Sequence, residues 1–289
     1  MKGYKGFNPG LICKDKQYQE NTVFEEPEAK ICEKGMHFCE NPFDVLDYYD
    51  LIRSDGTPNE FAEVEALDEP KTDDKKKFCS RKLKIGVKLG LSGFIKACVD
   101  FVLEKTIAET PRGNVDSGDC AQIGSSGDSA RIGSSGDSAR IGSSGDSARI
   151  GSSGNYARIG SSGYSAQIGS SGNYARIGSS GNYARIGSSG YSAQIGSSGD
   201  SARIGSSGNY AQINCTGSDS VICCAGHGSV VKAPIGCWIT LAEWKYDGAK
   251  QRCVPVCVKT EYVDGEKIKA DTPYTLKNGE FVEADSDGE

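Results

Sequence analysis

The sequence predicts an α+β N-terminal domain followed by an all-β parallel β-solenoid: a flattened β-roll with two nonapeptides per coil, a helix cap and a C-terminal β-hairpin region. Three observations predict it. Ile recurs at positions 123, 132, 141, 150, 159, 168, 177, 186, 195, 204, 213 and 222, with Val231 closing the series, so the period is nine without a slip. Self-similarity of this kind marks a solenoid. Each unit also alternates like a strand, and the periodicity changes character on both sides of the repeat.

Within Ser129-Ala130-Arg131-Ile132-Gly133, Ala130 and Ile132 face one way while Ser129 and Arg131 face the other, because strand side chains alternate. Ser134-Ser135-Gly136-Asp137 reads as the corner, with Gly taking positive φ and Asp or Asn bonding its own backbone. Two units make an eighteen-residue coil, three a twenty-seven-residue coil. The thin Ala/Ile interior favours two. About six and a half coils at ~4.8 Å then stack to about 30 Å.

The flanking units follow in order. Residues 1–90 read as an α+β recognition domain. KGMHFC is a strand, Asn41 caps and Pro42 opens a short helix through Tyr49, and FAEVEAL and KLKIGVKL are further strands. Residues 91–111 form a helix starting near Ser92, with Phe94, Ile95, Cys98, Phe101 and Val102 on its apolar face. An open solenoid end exposes unpaired strand edges, so this helix is expected to cap the roll of residues 112–235. Residues 236–289 hold the strand CWITLAEWKY and two hairpins turning at Asp264-Gly265 and Asn278-Gly279.

Composition bounds the function. The 289 residues carry a net charge of -6. Residues 1–110 hold 17 Lys/Arg against 21 Asp/Glu, a net of -4, and residues 118–213 hold 7 Arg against 5 Asp, a net of +2. Neither is the footprint of a nucleic-acid binder. No apolar run suits a signal peptide or a membrane span, so a cytoplasmic protein is expected. The 12 Cys then read as reduced thiols.

Two groups of residues stand out as partner or metal candidates. Arg140, Arg158 and Arg176 lie eighteen apart and form an outward column about 5 Å apart, with Tyr156 and Tyr174 beside it. This column is expected to bind a protein or acidic ligand, or to support homo-oligomers. The second column, Arg131, Arg149, Arg185 and Arg203, is broken by Gln167 and ranks below it. Cys13, Cys32, His37 and Cys39 have the residue types of a zinc site but poor spacing, and buried thiols with one hydrogen-bonded His are the alternative. Cys223, Cys224, His227 and Cys237 read as structural. The units share two glycines with the calcium-binding RTX roll, but Asp137 comes one position early and Ile141 one late. The Asp column also changes to Asn155, Tyr164, Asn173, Asn182 and Tyr191, so calcium is not expected. No nucleophile triad, Walker loop or dinucleotide fingerprint is present.

YKGFNPGLIC, EKGMHFCENPFDVLDYY and FAEVEAL resemble an uncharacterised domain family of Firmicutes and their phages. Its hallmark is a Gly-[aromatic or Met]-His-x-Cys stretch followed by Pro and a Tyr-Tyr pair, with Gly-Ser-Asp repeats behind it. The resemblance covers roughly residues 1–110 and implies a phage or prophage origin. Gly35-Met36-His37-Phe38, the helix ending in Tyr48-Tyr49 and FAEVEAL are also similar to the central block of ADP-ribosyltransferases. That resemblance implies a nucleotide site in which Lys5 replaces the His or Arg that grips NAD and His37 replaces the central Tyr. No Glu matches the catalytic position. The expected function is non-enzymatic binding on a rigid solenoid scaffold. An NAD-dependent transferase and a passive self-assembling element are the alternatives.

Overall fold

A computed structural model describes residues 1–31, 33–53, 55–105 and 114–284. It shows an N-terminal α+β region followed by a parallel β-solenoid of about seven turns and by C-terminal strands.

The N-terminal sheet has seven strands in the order Val23–Glu25, Lys82–Leu89, Glu60–Ala66, Lys2–Phe7, Met36–Cys39, Lys77–Ser80, Lys71–Thr72, with antiparallel neighbours. Strand alternation splits its apolar residues between two cores. Phe7, Met36, Phe38, Val64, Leu83 and Ile85 pack in one, and Phe43, Leu46, Ile52, Phe61 and Phe94 in the other. Helix α1, Pro42–Val45, starts as the sequence indicates, with Asn41 Oδ1 accepting from the Phe43 amide at 2.9 Å and Pro42 in its first turn. Further turns of backbone carry the chain on through Tyr49. Helix α2, Leu91–Lys105, buries Phe94, Ile95, Cys98, Val99 and Val102.

The roll has two sides. Units alternate between two nine-stranded sheets, and up to the pairing of Gln212–Cys215 with Val230–Ala233 each repeat strand pairs in register with the one eighteen residues on, as in Ile141↔Ile159 and Ile159↔Ile177. Ala and Ile point inward, together with a third column, the first Ser of each corner, in which Ser143, Ser161, Ser179 and Ser197 are fully buried.

The corners work differently from the sequence expectation. Positive φ falls on the Ser and Tyr column, including Ser138, Tyr156, Ser165 and Tyr174, at 56–57°. The corner glycines serve close approach instead. A Cβ on Gly154 would lie 2.0 Å from the Gly136 carbonyl oxygen, and one on Gly172 1.9 Å from that of Gly154. The Asp and Asn side chains bond the next coil rather than their own backbone. Asp137 Oδ1 accepts from the Asn155 amide at 2.7 Å, and Asn155 Oδ1 from the Asn173 amide at 3.0 Å.

Two end features also differ. α2 does not close the end of the roll; it lies along one sheet face, against Gly142, Gly160, Gly178 and Gly196. The glycines put no side chain between the sheet and α2, which lets its apolar residues lie flat along this face. At the far end, Asn278-Gly279 does turn a hairpin, between Thr272–Lys277 and Glu280–Glu283. Asp264-Gly265 instead crosses between sheets, with Asp264 Oδ1 accepting from the Glu266, Lys267 and Ile268 amides. The first hairpin joins Trp238–Asp247 to Arg252–Tyr262. These antiparallel strands extend both sheets, and Val263, Ile268, Tyr274 and Leu276 join the core of the roll. No helix among the described residues is long and apolar enough to cross a membrane.

Candidate functional site

The predicted binding column is not a free surface. Arg140, Arg158 and Arg176 do point out of the roll, but into the N-terminal domain of the same chain, and Arg140 and Arg158 are only 7% and 4% exposed. Arg140 pairs with Asp44, Arg158 with Asp47 and, at 3.5 Å, with Asp44, and Arg176 with Asp50 at 2.7 Å. The matching spacing explains the pairing. Asp44 in α1, Asp47 in the turn after it and Asp50 just beyond that turn recur every three residues and meet successive rungs, which lie ~4.8 Å apart. Where the column changes to Gln, its partner changes to backbone. Gln194 Oε1 accepts from the Leu51 amide at 3.0 Å, and Gln212, with its amide set to satisfy its neighbours, donates to the Ile52 and Arg53 carbonyls.

Burial works against this ladder. It pushes the Asp44 carboxyl up, although Arg140 and Arg158 pull it back, and it draws the Arg158 guanidinium down against Asp47. For a buried pair desolvation offsets much of the attraction. The ladder's direct consequence is positional: each rung holds one acidic residue of the N-terminal domain. Beside it, α2 supplies the apolar contact: a Cβ on Gly178 would meet Ile95 Cγ1 at 2.7 Å, and one on Gly160 would meet Val99 Cγ2 at 3.1 Å. Asp44, Asp47 and Asp50 were overlooked in the sequence, where their three-residue spacing was the available signal.

The second column is the exposed one. Arg131, Arg149, Arg185 and Arg203 face solvent, and among the described residues none forms an ion pair. They wall a groove of about 890 Å³ floored by Gly133, Gly151, Gly169 and Gly187.

Tyr156 and Tyr174 lie at a corner, exposed and stacked on each other with ring centroids 5.1 Å apart and planes 7° from parallel. Tyr191, Tyr210 and His227 continue this aromatic edge. Tyr164 and Tyr191 lack the Asp/Asn oxygen, and their rings touch Tyr183 and Tyr210 of the following coil.

Lys5 and His37 do come together, in a pocket of about 740 Å³ in the N-terminal domain. Lys5, 4% exposed, donates from Nζ to the His37 carbonyl at 2.9 Å and to Cys13 Sγ at 3.4 Å. Tyr49 OH donates to the same sulfur at 3.0 Å, and the Lys5 ammonium lies 5.3 Å from the Phe7 ring centroid and 5.6 Å from that of Tyr18. Gly6 makes room for this, since a Cβ there would strike the Tyr49 ring at 2.6 Å. Among the described residues no carboxylate pairs with Lys5. Burial draws its ammonium below the ordinary lysine range, and the Cys13 sulfur pulls it part of the way back. Burial, then the charges of Lys5, Lys77 and Lys14, lowers His37 to about 4, so its ring is neutral at pH 7.

The metal candidates do not assemble. Among the described residues no three His, Cys, Asp or Glu side chains gather as ligands. Cys13 is held by Lys5 and Tyr49, burial and then Asp44 and Asp47 push the Cys39 thiol up to about 12, and Cys32 lies outside the described residues. At the far end Cys223 is exposed and Cys224 buried, as alternation requires, while Cys237 is buried in the core of the roll. The carboxylates a calcium ladder would use are taken by the amides of the next coil.

No curated protein matches the chain, and no solved structure does. Residues 1–97, which hold the lysine pocket, Asp44 of α1 with Asp47 and Asp50 after it, and the first half of α2, are similar to a family described as a domain of unknown function (DUF7666).

Proposed function

We propose that this protein works by binding rather than by catalysis. In this reading the roll is a rigid scaffold that carries a recognition domain on one face and offers the other to a protein or acidic partner, or to copies of itself. A phage or prophage origin, action in the bacterial cytoplasm and the division into residues 1–90, 91–111, 112–235 and 236–289 belong to the same proposal. One observation carries it: two columns of the same chemistry flank one roll, and among the described residues only the first is ion-paired, holding acidic residues at rung spacing. The test immobilises the whole protein and exposes it to host extract at low and high salt. Changing Arg131, Arg149, Arg185 and Arg203 to Glu should release the retained proteins, as high salt should. Retention unchanged in that variant would sink the reading.

The second reading, an ADP-ribosyltransferase-like enzyme acting on NAD, is favoured by the pocket that joins Lys5 and His37. Labelled NAD incubated with the protein and a host lysate decides between the two. No transfer is expected; transfer abolished by His37→Ala would replace the first reading with the second.

A further inference from the structure

We propose that the open face of the roll docks a helix of a partner protein, one that carries carboxylates at three- or four-residue spacing beside an apolar stripe. This rests on the binding reading above and names the partner's chemistry.

The covered face shows what the repeat accepts. There the Arg rungs receive Asp44, Asp47 and Asp50 from α1 and the turns after it, and the adjoining glycine floor receives Leu91, Ile95 and Val99 of a separate helix, α2, so that a partner helix would carry both on one face. These apolar residues step by four along α2, one glycine per step, which is the i, i+4 stripe of an amphipathic helix. The open face repeats both halves of the receptor. Its strands carry the same Arg-Ile-Gly-Ser sequence, with Gln only at 167. Its floor is vacant: a Cβ built on Gly151, Gly169, Gly187 or Gly205 meets nothing within 4 Å.

The charge arrangement points the same way. Stacked guanidinium groups ~4.8 Å apart repel one another, and on the covered face carboxylates offset this. On the open face Asp128, Asp146 and Asp200 of the bordering corner lend negative charge, but each points its Oδ1 at the amide of the next coil and none pairs with an Arg. Beyond Arg203 the column continues as Val221 and Trp238, which are 51% and 49% exposed, with Tyr262 against Trp238. Acidic residues would therefore lie over Arg131 to Arg203, and an apolar end over Val221 and Trp238. A second copy of this chain fits less well, because its Asp44, Asp47 and Asp50 are occupied by its own arginines.

The experiment uses the full-length protein and three labelled probes, read by fluorescence anisotropy at low salt. The first is a synthetic helix with Glu along one flank and Leu along the next; the second has the same composition broken by prolines; the third is polyglutamate. A DNA oligonucleotide and sedimentation of the protein alone complete the set. The intact helix should bind, and both Arg131→Gln/Arg149→Gln/Arg185→Gln/Arg203→Gln and Gly169→Leu/Gly187→Leu should weaken it about tenfold or more. The glycine variant should leave polyglutamate binding unchanged. If the proline-broken peptide, polyglutamate or DNA binds as tightly as the helix, or only self-association depends on these arginines, the helix proposal falls while the binding reading stands. If no probe binds and the protein does not self-associate, both fall.

Discussion

Asp44 is the residue on which the docking of the N-terminal domain should depend most. Its side chain is 8% exposed and holds Arg140 and Arg158 together, and Asp44 is the sole ion-pair partner of Arg140 among the described residues. Asp44→Ala would leave Arg140 as a buried, uncompensated charge, while Arg158 keeps Asp47. Breaking a buried pair from one side costs about 3–5 kcal/mol. The chain has more than one structural unit, so a single unfolding midpoint would blur this cost. Hydrogen exchange of the α2 amides reads it directly, because undocking exposes them. The same energy corresponds to an opening constant raised by about two to three and a half decades. Asp44→Leu combined with Arg140→Met should recover much of that protection, since removing both charges ends the desolvation penalty. If Asp44→Ala leaves α2 protection unchanged, or the double variant exchanges as fast as the single one, the ladder does not hold the domain.

Three further outcomes test the rest of the structure. Gly172→Ala, whose Cβ would meet the Gly154 oxygen at 1.9 Å, should lower the thermal midpoint by a cost of about 1–3 kcal/mol or more, whereas Gly169→Ala, with nothing within 4 Å, should be neutral or slightly stabilising; equal effects would contradict the corner packing. Ser161 is fully buried and its hydroxyl has no partner, so Ser161→Ala should be neutral or stabilise by up to about 1 kcal/mol, and a clear loss in urea titration would show that the hydroxyl is bonded. His37 is lowered to about 4 in the folded chain, so the unfolded chain binds its proton first and stability falls as pH drops from about 6.5 through that value. His37→Gln should reduce this loss by on the order of 1–2 kcal/mol after solvent screening, and melts of the two proteins at pH 7 and pH 4.5 make the comparison.

The roll was legible because its code is local and redundant. An Ile every nine residues and an alternating Ala state which side chains point inward whatever the rest of the chain does. The strands FAEVEAL and KLKIGVKL and the start of α1 were legible for the same reason. What could not be read was which face is covered. Arg140 and Arg149 sit in identical nonapeptides, and what distinguishes them is a helix almost a hundred residues earlier that lies on one and not the other. The trace of that contact was present: the covered column ends in Gln194 and Gln212, where carboxylates give way to backbone. The lysine pocket was half legible. Lys5 and His37 were singled out, but Cys13 reaches Lys5 through the small hairpin after the first strand, and Tyr49 reaches Cys13 through the turns after α1.

The two-sided coil also sets a counting rule for the length of the roll. Each nonapeptide hands the chain from one sheet to the other, so register returns only after eighteen residues. Insertion or loss of two units lengthens or shortens the roll and leaves every downstream strand on its own side. A change of one unit within the regular repeat keeps Ala and Ile inward, because the same nonapeptide occurs on both sides. It would, however, exchange the two faces from that point on, carrying Gln194 and the seat of the Leu51–Ile52 segment to the side away from the N-terminal domain. Copy number in this chain therefore has a parity: even changes alter reach, and odd changes alter which surface is presented.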